Sequence, residues 1–221
     1  MSHQLFVLLA EATLDTLYMV AIAGAIGTAM GLPLGVWLAT SGRGELLAAP
    51  LFNRIGGVLV NATRSTPFII LVVAIIPFTR LVAGTSIGTS AAIVPLTVAA
   101  VPFIARIVET AIREVDRGLV EAAEAMGATP YQIIAKVLVP EALPGILLGL
   151  TLAIVSLIGY SAMVGAVGGG GLGDLGIRYG YQRFMPEVMA AVVLLLIVLV
   201  QGIQSLGERL ARRVNKRLRT A

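Results

Sequence analysis

Cysteine is absent from the 221 residues, so neither a disulfide framework nor a thiolate metal site can be built, and the compartment cannot be read from redox chemistry. Histidine occurs once, as His3 at the N-terminal edge, where a solvated side chain is expected. No glycine-rich loop ends in Gly-Lys-Ser/Thr, no helical HExxH is present and no serine has a neighbouring base, which argues against nucleotide hydrolysis, metalloprotease chemistry or acyl transfer in this chain. Gly168, Gly170 and Gly173 do satisfy G-x-G-x-x-G, but no βαβ unit surrounds them, so GGGGLGDLG reads as a flexible or tightly turning loop. Charge is scarce too, at 13% of residues, whereas 57% are apolar and the mean hydropathy is +0.95. A soluble domain of this size could not bury so much apolar surface, so most of the chain is expected to lie in lipid.

Charge-free runs extend from Thr16 to Gly42, Leu81 to Ala105, Ala142 to Gly173 and Val188 to Gly207. Each reaches the roughly 20 residues that a helix needs to cross ~30 Å of hydrocarbon. A fifth run, Ile55 to Thr79, contains only Arg64. The expected architecture is therefore an all-α integral membrane protein forming one transmembrane domain. Its five transmembrane helices are placed near 14–40, 55–80, 84–106, 142–168 and 186–207. The first residues lack the basic start of a secretory signal, and Glu11 and Asp15 interrupt any apolar core, so no cleavage is expected.

Basic residues set the orientation. With the C-terminus in the cytoplasm, Arg43, Arg54, Arg106, Arg113, Arg117, Lys136, Arg209, Arg212, Arg213, Lys216, Arg217 and Arg219 fall inside, against Arg80, Arg178 and Arg183 outside. The N-terminus is then external. The pI near 9.9 comes from these juxtamembrane residues, so nucleic acid is not an expected partner. Arg64 is the one charge inside a candidate span; it is either functional, as intramembrane charges are by default, or it snorkels or meets a backbone carbonyl.

In this orientation residues 107–141 form a cytoplasmic loop between spans three and four. Gly118 and Gly127 bracket a short helix from Leu119 to Met126, and Thr129, Pro130 and Gln132 fall at N-cap, N1 and N3 of the next. Pro140 and Pro144 lie where span four begins, a place where irregular backbone is tolerated. The loop is either a helical hairpin joining two spans or a rigid helix presented to a partner. Glu121, Ala122, Ala123, Gly127, Val137, Val139 and Pro140 decide between these, because their spacing resembles the EAA signature of ABC importer permeases, with valine at two aliphatic positions. That resemblance implies that Glu121, Ala122, Ala123, Gly127 and Pro140 belong to a coupling element seated in a cytoplasmic ATPase, and that ATP and magnesium are bound by that partner and not here.

Gly27, Gly31 and Gly35, with Ala23, form a small-residue stripe on span one, and Gly145 and Gly149 another on span four. Packing within one subunit is favoured over a dimer interface. Pro33 and Pro77 are expected to kink spans one and two. On span four, Tyr160, Ser161 and Met163 place polar and soft groups in an aliphatic helix, either facing an aqueous path or bonding a neighbouring helix. Residues 61–80, 159–184 and the tail LARRVNKRL extend the resemblance to the methionine uptake family over essentially the whole chain. It implies a second copy of this chain, MetN-like ATPase subunits, an external MetQ-like lipoprotein, the bacterial inner membrane, and L- and D-methionine as cargo. Another small solute, or an ion-coupled carrier, is the alternative.

Overall fold

The computed structural model describes residues 3–214, without the side chain of His3, and every regular element among them is helical. Lys216, Arg217 and Arg219, assigned above to the cytoplasmic side, lie outside the described residues, as does the environment of His3. Among the described residues four helical runs are long and apolar enough to cross a membrane. They are α1 (His3–Thr40), α5 (Thr89–Arg113), the run Pro130–Ala166 that ends in α8 (Val139–Ala166), and α10 (Pro186–Val214). The first begins well before residue 14, and α5 continues past residue 106 into the expected loop.

The expected continuous span 55–80 is broken. Helix α2 (Pro50–Ser65) and helix α3 (Phe68–Ala74) meet at 103°, so the pair counts as a fifth span only if the bend is accepted within it. The cause is Pro67, which has no N–H to donate, holds an extended φ of −55° and ψ of 131°, and disfavours helical backbone at Thr66. A second break at Ile75 precedes α4 (Ile76–Ala83), whose first turn contains Pro77. Pro33, by contrast, lies within α1.

The chain divides into two compact units. The first gathers the start of the chain to Gly27, Thr66–Ala100 and Ala153–Gln204. Leu5, Leu9 and Ala12 of α1 pack there with Leu172 and Leu175 of α9 (Gly171–Leu175) and with Val188 and Val192 of α10. Buried Thr16 donates its hydroxyl hydrogen to Ala12 O and accepts from Leu172 N at 2.9 Å, closing polar groups that lipid would leave unpaired. The glycine tract is a packed turn, not a flexible loop. Gly168, Gly170 and Gly171 adopt positive φ, and a Cβ at Gly173 would fall 2.8 Å from Ala162 C and closer still to its Cα and O. Only hydrogen fits where these two backbones touch.

The second unit gathers Thr28–Ser65, Val101–Leu152 and the chain from Ser205. Helix α5 is its common neighbour. A Cβ at Gly31 would come within 2.8 Å of Val101 O, Gly35 abuts Ala105 O and Val108, and Gly149 abuts Ile107. Gly31, Gly35 and Gly149 therefore serve contacts within this chain, where van der Waals packing between small residues replaces the hydrophobic driving force that lipid removes. Before Pro140 the backbone widens: a π-helical segment, Ile134–Leu138, ends with Val139 N donating to Ile134 O. Proline lacks the amide that a regular turn requires and its ring crowds the carbonyl four residues back, so the wider register absorbs the misfit.

Candidate functional site

The segment bracketed by glycines folds as α6 (Arg117–Ala125), two residues earlier than the predicted start at Leu119. Asp116, which no spacing rule had singled out, supplies the N-cap: its carboxylate accepts from Gly118 N at 2.8 Å. At the other end Gly127 has φ 80°, Gly127 N donates to Glu124 O at 2.8 Å and Ala128 N donates to Ala123 O at 3.0 Å. This pair of bonds is a Schellman closure, which turns the chain within one residue and fixes the direction in which it leaves α6. The next turn, α7 (Pro130–Ile133), opens as predicted: Pro130 stands at N1, and Thr129 N donates to Gln132 Oε1 at 2.9 Å.

The candidate coupling residues separate by environment. Glu121, Ala122 and Gly127 are exposed on α6 and its closure, and Pro140 is exposed at the start of α8. Ala123 is 4% exposed and faces the protein's own interior. Met126, not singled out from sequence, is 81% exposed and is the largest apolar group at this end of the helix. A small exposed residue flanked by a glutamate and a soft apolar side chain makes a shallow face suited to another protein; Ala123 instead seats that face on its own chain.

In the first unit the Tyr160 ring stacks on Phe68, with centroids 4.4 Å apart and planes inclined by 13°. Met163, three residues on along α8, is exposed. Ser161 is 2% exposed and donates to Ile158 O, so its polarity serves its own helix and does not line an aqueous surface. Phe68 was legible only as the residue after a proline; it is the first residue of α3. Arg64 is exposed at the end of α2, its guanidinium 5.9 Å from the centre of the Phe103 ring.

A polar network in the second unit had no counterpart among the sequence motifs. Buried Glu109 on α5 bridges Arg106 at 2.6 Å and Arg113 at 3.0 Å, and Arg106 also donates to Asn61 Oδ1 at 2.6 Å. The spacing i, i+3 and i+4 along one helix brings the three charges together. Among the described residues no group of histidine and carboxylate side chains could hold a metal ion.

Residues 31–220 match the model of the family described as binding-protein-dependent transport system inner membrane component. A probable D-methionine transport system permease protein, MetI, of Vibrio cholerae is 60% identical over 210 residues, covering 95% of this chain and 93% of that protein. The D-methionine transport system permease protein MetI of Escherichia coli is 52% identical over 165 residues, covering 75% and 76%. Among solved structures, a chain of the MetNI methionine ABC transporter in inward-facing conformations superimposes with a TM-score of 0.95 at 50% identity, covering 98% of this chain and 100% of that one.

Proposed function

The chain belongs to the family of inner membrane components of binding-protein-dependent transport systems, and we propose that it is the methionine-conducting permease of an ATP-binding-cassette importer. One observation carries the mechanism: α6 is short, capped at both ends and open on the face of Glu121, Ala122 and Met126. A helix held this firmly transmits displacement without absorbing it. Basic residues orient the chain with its N-terminus outside, its C-terminus and α6 in the cytoplasm, and α3 joined to α4 as the remainder of the bent second span. The cytoplasmic ATPase subunits take α6 in a surface cleft, and ATP with magnesium stays with them.

Two copies of this chain enclose the path. Tyr160 and Met163 contribute to its wall, Phe68 fixes the Tyr160 ring, and Ser161 stands behind them. An aromatic face beside a thioether suits the flexible, polarisable side chain of methionine. Closure of the ATPases on ATP draws the coupling helices together and opens the spans outward to accept L- or D-methionine from an external binding lipoprotein; hydrolysis returns them inward.

The absence of cysteine gives a clean labelling background. In a Met126→Cys permease the thiol reacts readily with maleimide when the permease is alone, and the reaction slows at least severalfold when the ATPase subunits are bound. Equal labelling in both states would remove α6 from the interface.

A further inference from the structure

We propose that the second unit binds the phosphate of an anionic phospholipid in an open cavity of about 400 Å³ formed by α1, α2 and α5. This rests on the orientation proposed above, which puts the cavity at the cytoplasmic leaflet. Its polar lining includes Arg54, Arg106 and Arg113, with Glu109 as the one carboxylate, so the walls carry an excess of two positive charges. Glu109 is engaged by Arg106 and Arg113 together. Asn53 is also committed, its amide donating to Leu38 O at 2.7 Å and to Ser41 Oγ at 2.9 Å. Arg54 is different: it lines the cavity, is exposed, and makes no ion pair among the described residues. A guanidinium presents a planar fork of donors that matches the oxygens of a phosphate.

What favours a lipid over a free phosphate ion is the rest of α2. Leu51, Ile55, Val58 and Leu59 are exposed along that helix at helical spacing, and Val58 also lines the cavity. The apolar stripe thus begins where the basic wall ends, and an acyl chain can follow the first while the headgroup phosphate occupies the second. Zwitterionic lipids carry a compensating ammonium that the basic wall disfavours. Phosphatidylglycerol and cardiolipin carry none, and basic pockets on the cytoplasmic side of membrane helices select such headgroups.

The test uses the complex of the permease with its ATPase subunits, delipidated in detergent and probed by native mass spectrometry with added phosphatidylglycerol, phosphatidylethanolamine or inorganic phosphate. Phosphatidylglycerol is retained in preference to phosphatidylethanolamine, and excess inorganic phosphate does not displace it. Arg54→Gln lowers retention about fivefold, the factor that corresponds to ~1 kcal/mol for one basic residue near an anionic surface, while Arg54→Lys keeps most of it. Because Arg54 makes no ion pair among the described residues, both variants melt like the parent when lipid is absent. Equal retention of the two lipids, indifference to Arg54→Gln, or displacement by inorganic phosphate would each overturn the assignment, the last by making it a site for the free anion. In parallel, Ala48 is exposed in the segment between α1 and α2, and Ala48→Cys in intact spheroplasts stays unlabelled by an impermeant maleimide. Labelling from outside would sink the orientation, whereas lipid retention reports on the cavity alone.

Discussion

Ala122→Trp is expected to weaken association with the ATPase subunits and lower ATP-driven methionine uptake by about ten- to hundredfold, the equivalent of the ~1–3 kcal/mol that an overpacked contact costs. Ala122 is exposed on α6, so the indole meets no part of this chain and the melting temperature of the isolated permease stays that of the parent. Ala123→Leu is the internal comparison. That residue is 4% exposed, and enlarging it strains the seat of α6 in its own chain, so both the yield of folded permease and the uptake fall. Pull-down of the ATPase and a melting curve on each variant separate the two. Loss of stability with Ala122→Trp, or full uptake, would show that the exposed face does not dock.

Gly173→Ala is expected to produce the largest loss of stability. Its methyl group would overlap the backbone of Ala162, and a Cβ added at Gly165 on the opposite side would likewise overlap Asp174 N and fall 2.8 Å from Gly173 C. Backbone cannot move aside as a flexible side chain can. Separation of α8 from α9 is the only relief, at a cost of about 3 kcal/mol or more, which corresponds to ~6–12 °C in melting temperature for a chain of this length. Gly202→Ala supplies the control: a Cβ there meets nothing within 4 Å, and alanine in a helix is favoured over glycine, so the variant melts at or above the parent. Size-exclusion profiles after stepwise heating give both values.

Much of the fold was legible because a membrane imposes simple rules. Charge-free runs identified four spans, and the capping residues Thr129, Pro130 and Gln132 placed a helix start correctly. Interruptions were harder to read. The run around Arg64 is apolar enough to pass for one span, yet Pro67 turns the chain through 103°, because the pyrrolidine constrains its neighbour as well as itself. Four consecutive glycines signalled either a flexible or a tight loop; the contacts of Gly171 and Gly173 with Thr16 and Ala162, which decide it, depend on packing between separate elements that no local pattern encodes.

The site followed the same division. The positions of Glu121 and Gly127 are set by local helix geometry and could be read from spacing, including the left-handed residue at Gly127. Which alanine points inward could not, because both have the same size and polarity and only tertiary packing distinguishes buried Ala123 from exposed Ala122. Ser161 was picked out by its polarity alone, but a serine in a helix can donate to a carbonyl of the preceding turn, and it does so to Ile158 O. The stacking of Tyr160 on Phe68 joins residues 92 positions apart in sequence, which no local pattern encodes.

This chain is expected to conduct methionine only when driven by a partner ATPase. Reconstitution of the permease with its ATPase subunits and external binding protein in liposomes, loaded with ATP on the ATPase side, measures this directly through uptake of labelled L-methionine. Accumulation that needs ATP, ceases with a hydrolysis-deficient ATPase and is competed by unlabelled methionine but not by other amino acids is the predicted result. Methionine entry that proceeds equally without ATP, or ATP-driven accumulation of a different solute in its place, would contradict it.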